Sequence, residues 1–95
     1  MIKHVVCFKL KEGESVDKAI EVLKSMEGKV PQIISMEVGK DFLHSQRSYD
    51  IILQVVVSDE KSLNDYQLDY YHCNVVKPHM HSVRSASVAV DYYID

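Results

Sequence analysis

Glycine is scarce and scattered in this chain: Gly13, Gly28 and Gly39 stand alone, none close to another. A loop that cradles phosphates needs clustered glycines so that backbone N–H groups can converge, so nucleotide cofactors, and cofactors in general, are not expected. Cysteine is scarcer still. Cys7 and Cys73 form no CxxC pair and lie far apart, which excludes a disulfide framework and a dithiol redox motif. They read as two small buried hydrophobes. No segment reaches the roughly 18 apolar residues that a membrane span needs. The HExxH spacing of a helical zinc site is missing, and so are repeats, linkers and low-complexity stretches. Positive charge is not concentrated anywhere: the lysines are scattered and the net charge is −3, so neither nucleic acid nor an anionic membrane is an expected partner. The opening MIKHVVCFKLKEGES alternates apolar with polar residues and lacks a small-residue cleavage site. It does not read as a signal peptide, and a cytoplasmic location is expected.

What is present is an ordinary globular composition, 46% hydrophobic and 26% charged over 95 residues. That is the size of one domain, residues 1–95, with a thin core: folding at this length buries only about 60–70% of the extended-chain surface. In IKHVVCFKLK, residues Ile2, His4, Val6, Phe8 and Leu10 fall on one side of a strand and Lys3, Val5, Cys7, Lys9 and Lys11 on the other. EGESVDKAIEVLKSMEG reads as a helix capped by Ser15, with Asp17 in its first turn, a stop at Gly28 and Pro31 preventing continuation. QIISMEVGKDF and SYDIILQVVVS read as strands, the second apolar on both faces. SDEKSLNDYQ starts a second helix, with Ser58 as cap and Leu63 and Tyr66 pointing inward. It continues through YYHCNVVK until Pro78, whose ring disfavours helix at Lys77. SVRSASVAVDYY alternates well, with Ala86, Val88, Val90 and Tyr92 on one side.

The order β-α-β-β-α-β is the split βαβ arrangement of ferredoxin-like α+β folds, a four-stranded antiparallel sheet with helices on one face. Val5, Cys7, Ile52 and Val56 on the other face are too apolar for open water. Two sheets are therefore expected to pack face to face in a homodimer.

Several stretches, taken in order, resemble the stress-responsive A/B barrel (Dabb) domain: MIKHVVCFKLKEG, VPQIISMEVGKD, YDIILQVVV and SVAVDYY, together covering Met1 to about Tyr93. The resemblance implies a dimeric α+β barrel. The family's polar motif, Tyr-x-x-His-Pro-x-His, stands here as YQLDYYH. Tyr66 and His72 match its tyrosine and second histidine, while Asp69 and Tyr70 replace the first histidine and the proline. Olivetolic acid cyclase, a relative similar in fold, performs an aldol cyclisation of a polyketide thioester without cofactor. Its resemblance carries onto His4, Tyr66 and His72, with Leu23 where it has a further tyrosine.

His4 is the one polar residue on its strand face, and His72 lies on the helix expected to cover that face. His4, Tyr66 and His72 are thus the candidate catalytic residues, and with Phe8, Leu23 and Val76 the candidate ligand-binding residues. A neutral imidazole there could take a proton from a carbon next to a carbonyl, with the tyrosine hydroxyl bonding the developing enolate. A metal site is the alternative for Asp69 and His72, spaced i, i+3, with His79 and His81 beyond. His79 and His81 read more simply as solvated histidines on an extended segment, His44 as a solvated loop residue, and no metal is expected. Three functions remain open: a small-molecule binding protein taking an apolar or carbonyl-containing ligand, a cofactor-free acid/base enzyme, and a structural oligomer-forming protein.

Overall fold

The first strand, β1, runs from Ile2 to Leu10 and sits inside the sheet. In the computed structural model, which describes residues 1–95, it pairs antiparallel with both the third and the fourth strand. Its alternation is expressed as burial: Ile2, His4, Phe8 and Leu10 are buried, while Lys3, Val5 and Cys7 on the other face are half-buried. Helix α1, Val16–Lys24, starts where Ser15 Oγ accepts the backbone N–H of Lys18 at 3.0 Å. It ends at Lys24, before the expected stop. Three turn residues, Ser25, Met26 and Glu27, then lead to Gly28, whose φ of +78° is the left-handed conformation that favours glycine.

Strands β2, Ser35–Lys40, and β3, Ile51–Val57, pair antiparallel, and β4, Arg84–Tyr93, closes the other edge to give the order β2-β3-β1-β4. A bulge between Lys9 and Leu10 shifts the β1–β4 register near its Arg84 end. The ferredoxin-like α+β arrangement expected from the sequence is the one found. The core lies between the sheet and the helices and includes Leu23, Met26, Leu53, Val55, Tyr66 and Val76. No helix is long and apolar enough to cross a membrane.

The second helical region departs from expectation in three ways. Helix α2, Glu60–Leu68, is capped by Asp59, whose carboxylate accepts the Ser62 N–H at 2.7 Å, and Ser58 is one residue outside the cap. The helix then breaks at Asp69 (φ −56°, ψ 138°) and restarts at once. Asp69 caps the restart, its side chain accepting the His72 N–H at 3.1 Å and its carbonyl the Cys73 N–H at 2.8 Å. Third, Pro78 does not end the helix. A π-helical turn, His72–Val76, runs directly into α3, Lys77–Val83, with Pro78 in its first turn. Proline lacks an N–H and its ring presses on the carbonyl four residues back. The wider π turn, in which the Lys77 N–H reaches the His72 carbonyl, lets the helix pass through that obstacle. His79 and His81 are consequently on a helix and not on an extended segment.

The faces of β4 follow its register with β1. Ala86, Val88, Val90 and Tyr92 share the open face with Lys9, Cys7, Val5 and Lys3, while Ser87, Ala89, Asp91 and Tyr93 lie on the helix side. Cys7 and Cys73 are free and half-buried, not fully buried as expected; the Cys73 thiol donates to the Gln67 carbonyl at 3.2 Å.

Candidate functional site

Tyr66 is the centre of the site. It projects from the last turn of α2 into the core and has no exposed surface. Its ring stacks on His72, with centroids 4.4 Å apart and planes 25° apart, and meets the edge of His4 at 5.6 Å and 63°. One aromatic ring thus stands between two imidazoles, one from the sheet and one from the π-helical turn. The Tyr66 hydroxyl donates to Met26 Sδ at 3.8 Å, and burial pushes its pKa well above the ordinary tyrosine value. The hydroxyl stays protonated across the physiological range.

Each imidazole is held by its Nδ1. In His72, Nδ1–H donates to the Tyr66 carbonyl at 3.0 Å, an oxygen that also accepts the Asp69 N–H at 3.3 Å where the helix ends. In His4, Nδ1–H donates to the Asp91 carboxylate, which faces it across the β1–β4 pair. A carbonyl and a carboxylate can only accept, so both Nδ1 atoms carry hydrogen and both Nε2 atoms offer a lone pair when the ring is neutral. Neither Nε2 has a protein partner, and neither is among the sealed polar atoms without one. Burial holds the His72 pKa below its ordinary value, and the nearby Lys77 and His4 add to this against the opposing Tyr66 carbonyl and Asp69. His72 is therefore neutral at pH 7.

Between the imidazoles and α3 lies a cavity of about 180 Å³. The six residues singled out in the sequence, His4, Phe8, Leu23, Tyr66, His72 and Val76, all line it. Residues that the sequence reading missed line it too: Gln67, Lys77, Met80, Arg84 and Ser87. Asp91, beside it, was also overlooked, although it is the one acidic residue on the helix side of β4 and the β1–β4 register sets it opposite His4. Lys77, His81 and Arg84 were legible as an i, i+4, i+7 stripe only if the helix was known to continue past Pro78.

The remaining candidates separate from this site. Asp69 engages the His72 backbone, not its ring. His81 is exposed at the cavity wall, whereas His79 is half-buried with its Nε2 sealed and unpaired, so the expectation of two solvated histidines fails for His79. His44 is an exposed loop residue beside Asp41. Tyr70 is 80% exposed, and Tyr71 bonds Ser25 Oγ at 2.6 Å. No three His, Cys, Asp or Glu side chains are grouped so as to hold a metal ion.

Solved structures share this fold at low identity. A dimeric ferredoxin-like protein of unknown function from Thermobifida fusca superposes with a TM-score of 0.84 at 19% identity, over 98% of this chain and 90% of that one. The At3g17210 protein of Arabidopsis thaliana gives 0.85 at 16%, over 100% and 96%. Hydroxynitrile lyase from Passiflora edulis gives 0.84 at 13%, over 99% and 93%. A search of curated proteins returned no match. The model of the Stress responsive A/B Barrel Domain matches residues 2–94, so the chain belongs to the Dabb family.

Proposed function

We propose that this Dabb protein binds a small, largely apolar ligand bearing a carbonyl or hydroxyl group in the cavity between sheet and helices. The observation that carries the reading is the convergence of two imidazoles on one cavity, each anchored through Nδ1 and each with an unpartnered Nε2. Each Nε2 is left for whatever fills the cavity, and a ligand that hydrogen-bonds to them engages both rings at once. His72 accepts from a hydroxyl. His4, oriented by Asp91 through Nδ1, offers a second Nε2, and Lys77 Nζ, near His72, has hydrogens free for a carbonyl oxygen. The test is an NMR titration with acetophenone, following the imidazole Cε1–H signals. Saturable shifts are expected for His4 and His72 and none for exposed His44; uniform or absent shifts would refute the reading.

A second reading, acid/base catalysis without cofactor, draws on the neutral state and fixed tautomer of His72, which suit a base acting next to a carbonyl. The expected signature is exchange of the acetophenone methyl protons in D₂O above the buffer rate, lost in His72→Phe. Exchange at the buffer rate leaves binding alone.

The open sheet face supports a homodimer closed through the two sheets. Val88 and Val90 are 52% and 61% exposed in the single chain, and Val5, Cys7, Ile52 and Val56 adjoin them. An apolar face of this kind is a partner surface, and several structural neighbours are described as dimeric. Two free cysteines suit a reducing compartment such as the cytoplasm.

A further inference from the structure

The charged side chains that line the cavity are cationic. Its wall includes Lys77, His81 and Arg84 and no acidic residue, in a chain whose formal net charge is −3. Lys77 and His81 stand one turn apart on α3, and Arg84 follows where the helix passes into β4. The donors of these groups are largely unused. Lys77 Nζ gives one hydrogen to the Gln67 carbonyl at 3.0 Å, which leaves two of three, and the Arg84 guanidinium has no hydrogen-bond or ion-pair partner. Asp91 lies outside the lining and is engaged with His4.

The cavity is therefore polar in two different ways at its two ends. The β1 residues that line it run from His4 through Val6 to Phe8, about 13 Å at the rise of a strand. His4 and His72 mark one end. Arg84 follows the Leu10 end of β1, beyond Phe8, because the register pairs it with Leu10. Apolar side chains, Val6, Phe8, Leu53 and Met80 among them, fill the space between.

We infer that the ligand is a monocarboxylate: an apolar body with an anionic carboxylate at the Arg84 end and a hydroxyl or carbonyl group at the histidines, beside which Lys77 also stands. This rests on the cavity reading above and names its substrate class. An engineered cavity of about 150 Å³ holds benzene, so about 180 Å³ suits one aromatic ring or a short branched chain with its end groups. Arg84 presents a planar fork that matches a carboxylate with two parallel bonds, and Lys77, near His72, adds to the positive potential of the cavity.

The probes are 4-hydroxyphenylacetate and its neutral isostere 4-hydroxyphenylacetamide, titrated separately against the full chain and followed by the His4 and His72 Cε1–H signals. The acid is expected to bind about tenfold or more tightly than the amide, the effect of one charge-assisted bond, and the preference should shrink as salt is raised. In Arg84→Gln the acid should lose more affinity than the amide, so that the ratio between the two falls toward one, and unchanged His4 and His72 signals in the unliganded variant show that it folds. Equal affinities in the wild type would overturn the carboxylate inference and leave the cavity reading standing. A preference that survives in Arg84→Gln would overturn the assignment to Arg84. If neither probe moves the histidine signals while acetophenone does, the carboxylate class is wrong; if acetophenone also fails, the cavity reading falls with it.

Discussion

The two faces of the sheet are written in the same alphabet. Ile2, Phe8, Leu53 and Val55 line the helix side, and Val5, Cys7, Ile52, Val56, Val88 and Val90 line the other. What differs is the cover. The helices take the first face out of water and leave it with two histidines, a buried tyrosine and a void; the second face has no cover within the chain. A polar residue on the open face, such as Gln54 bonded to Glu37, costs little because water reaches it. On the covered face a histidine persists only with a partner, and His4 and His72 each have one through Nδ1. The lesson is that function is to be sought where polarity survives burial, and assembly where apolarity survives exposure.

The largest expected effect tests the covered face. Tyr66→Ala removes a fully buried ring that touches both imidazoles, and aromatic truncations in cores cost about 3–5 kcal/mol. Urea denaturation should find most of the stability of so small a domain gone. Val90→Ala, on the open face, should change the stability of the single chain by no more than about 0.5 kcal/mol. Similar losses at the two positions would erase the distinction between the faces.

The open face is tested next through assembly. Val90→Asp sets a carboxylate in the middle of the exposed apolar strip, where a packed second sheet would strip its water. Size-exclusion with light scattering at micromolar concentration should give twice the chain mass for the wild type and the single-chain mass for the variant. A wild type that already runs as a single chain would defeat the two-sheet dimer.

Sequence periodicity was a reliable guide to the strands and an unreliable one to the second helical region. Alternation in β1 and β3 placed every residue on its correct face, because a strand has only two faces and a one-residue error would have put Phe8 and Leu53 in water. The break at Asp69 and the passage through Pro78 were not legible. The first depends on a local side-chain cap winning over helix propensity, and the second on a π turn, for which no simple periodicity exists. Two errors at the ends of one short segment hid the basic stripe of Lys77, His81 and Arg84. The inner residues His4, Tyr66 and His72 were reachable because they sit on elements, or beside boundaries, that the pattern did define. Asp91 needed one more step, the β1–β4 register.

His72 offers a finer probe of the covered face, through pH. Its folded pKa lies below the unfolded value of about 6.5, so the unfolded chain binds the extra proton first as pH falls. The contribution of His72 to stability is complete above that pH and is lost progressively on going below it, toward the folded pKa. Thermal unfolding of the wild type should therefore show a lower Tm at pH 5.5 than at pH 7.5. In His72→Phe, which keeps a ring to stack on Tyr66, that difference should be smaller. His72→Ala is a poorer probe. It would also remove the stacking and the bond to the Tyr66 carbonyl, so stability should fall at every pH. An unchanged pH slope in the phenylalanine variant would mean that His72 titrates alike in both states.

The smallest effect concerns how the cover is attached. Helix α2 carries Tyr66 to the covered face, and its start is fixed by the Asp59 carboxylate accepting the Ser62 N–H, a bond that holds the Asp59 pKa below its ordinary value. Because the folded pKa is the lower one, this cap stabilises above the unfolded value near 3.8 and is lost as pH falls through the folded pKa. Asp59→Ala should lower the Tm by a few degrees at pH 7, and the gap to the wild type should close in acid. Ser58→Ala, at the position where the sequence alone suggested the cap, should do less. Ser58 gives only a hydroxyl contact to Ser62 Oγ at 2.8 Å and no bond to a free helix N–H. If the serine variant were the more damaging of the two, the helix would begin one residue earlier than the Asp59 bond implies. The geometry that brings Tyr66 between the histidines would then have to be rebuilt from that end.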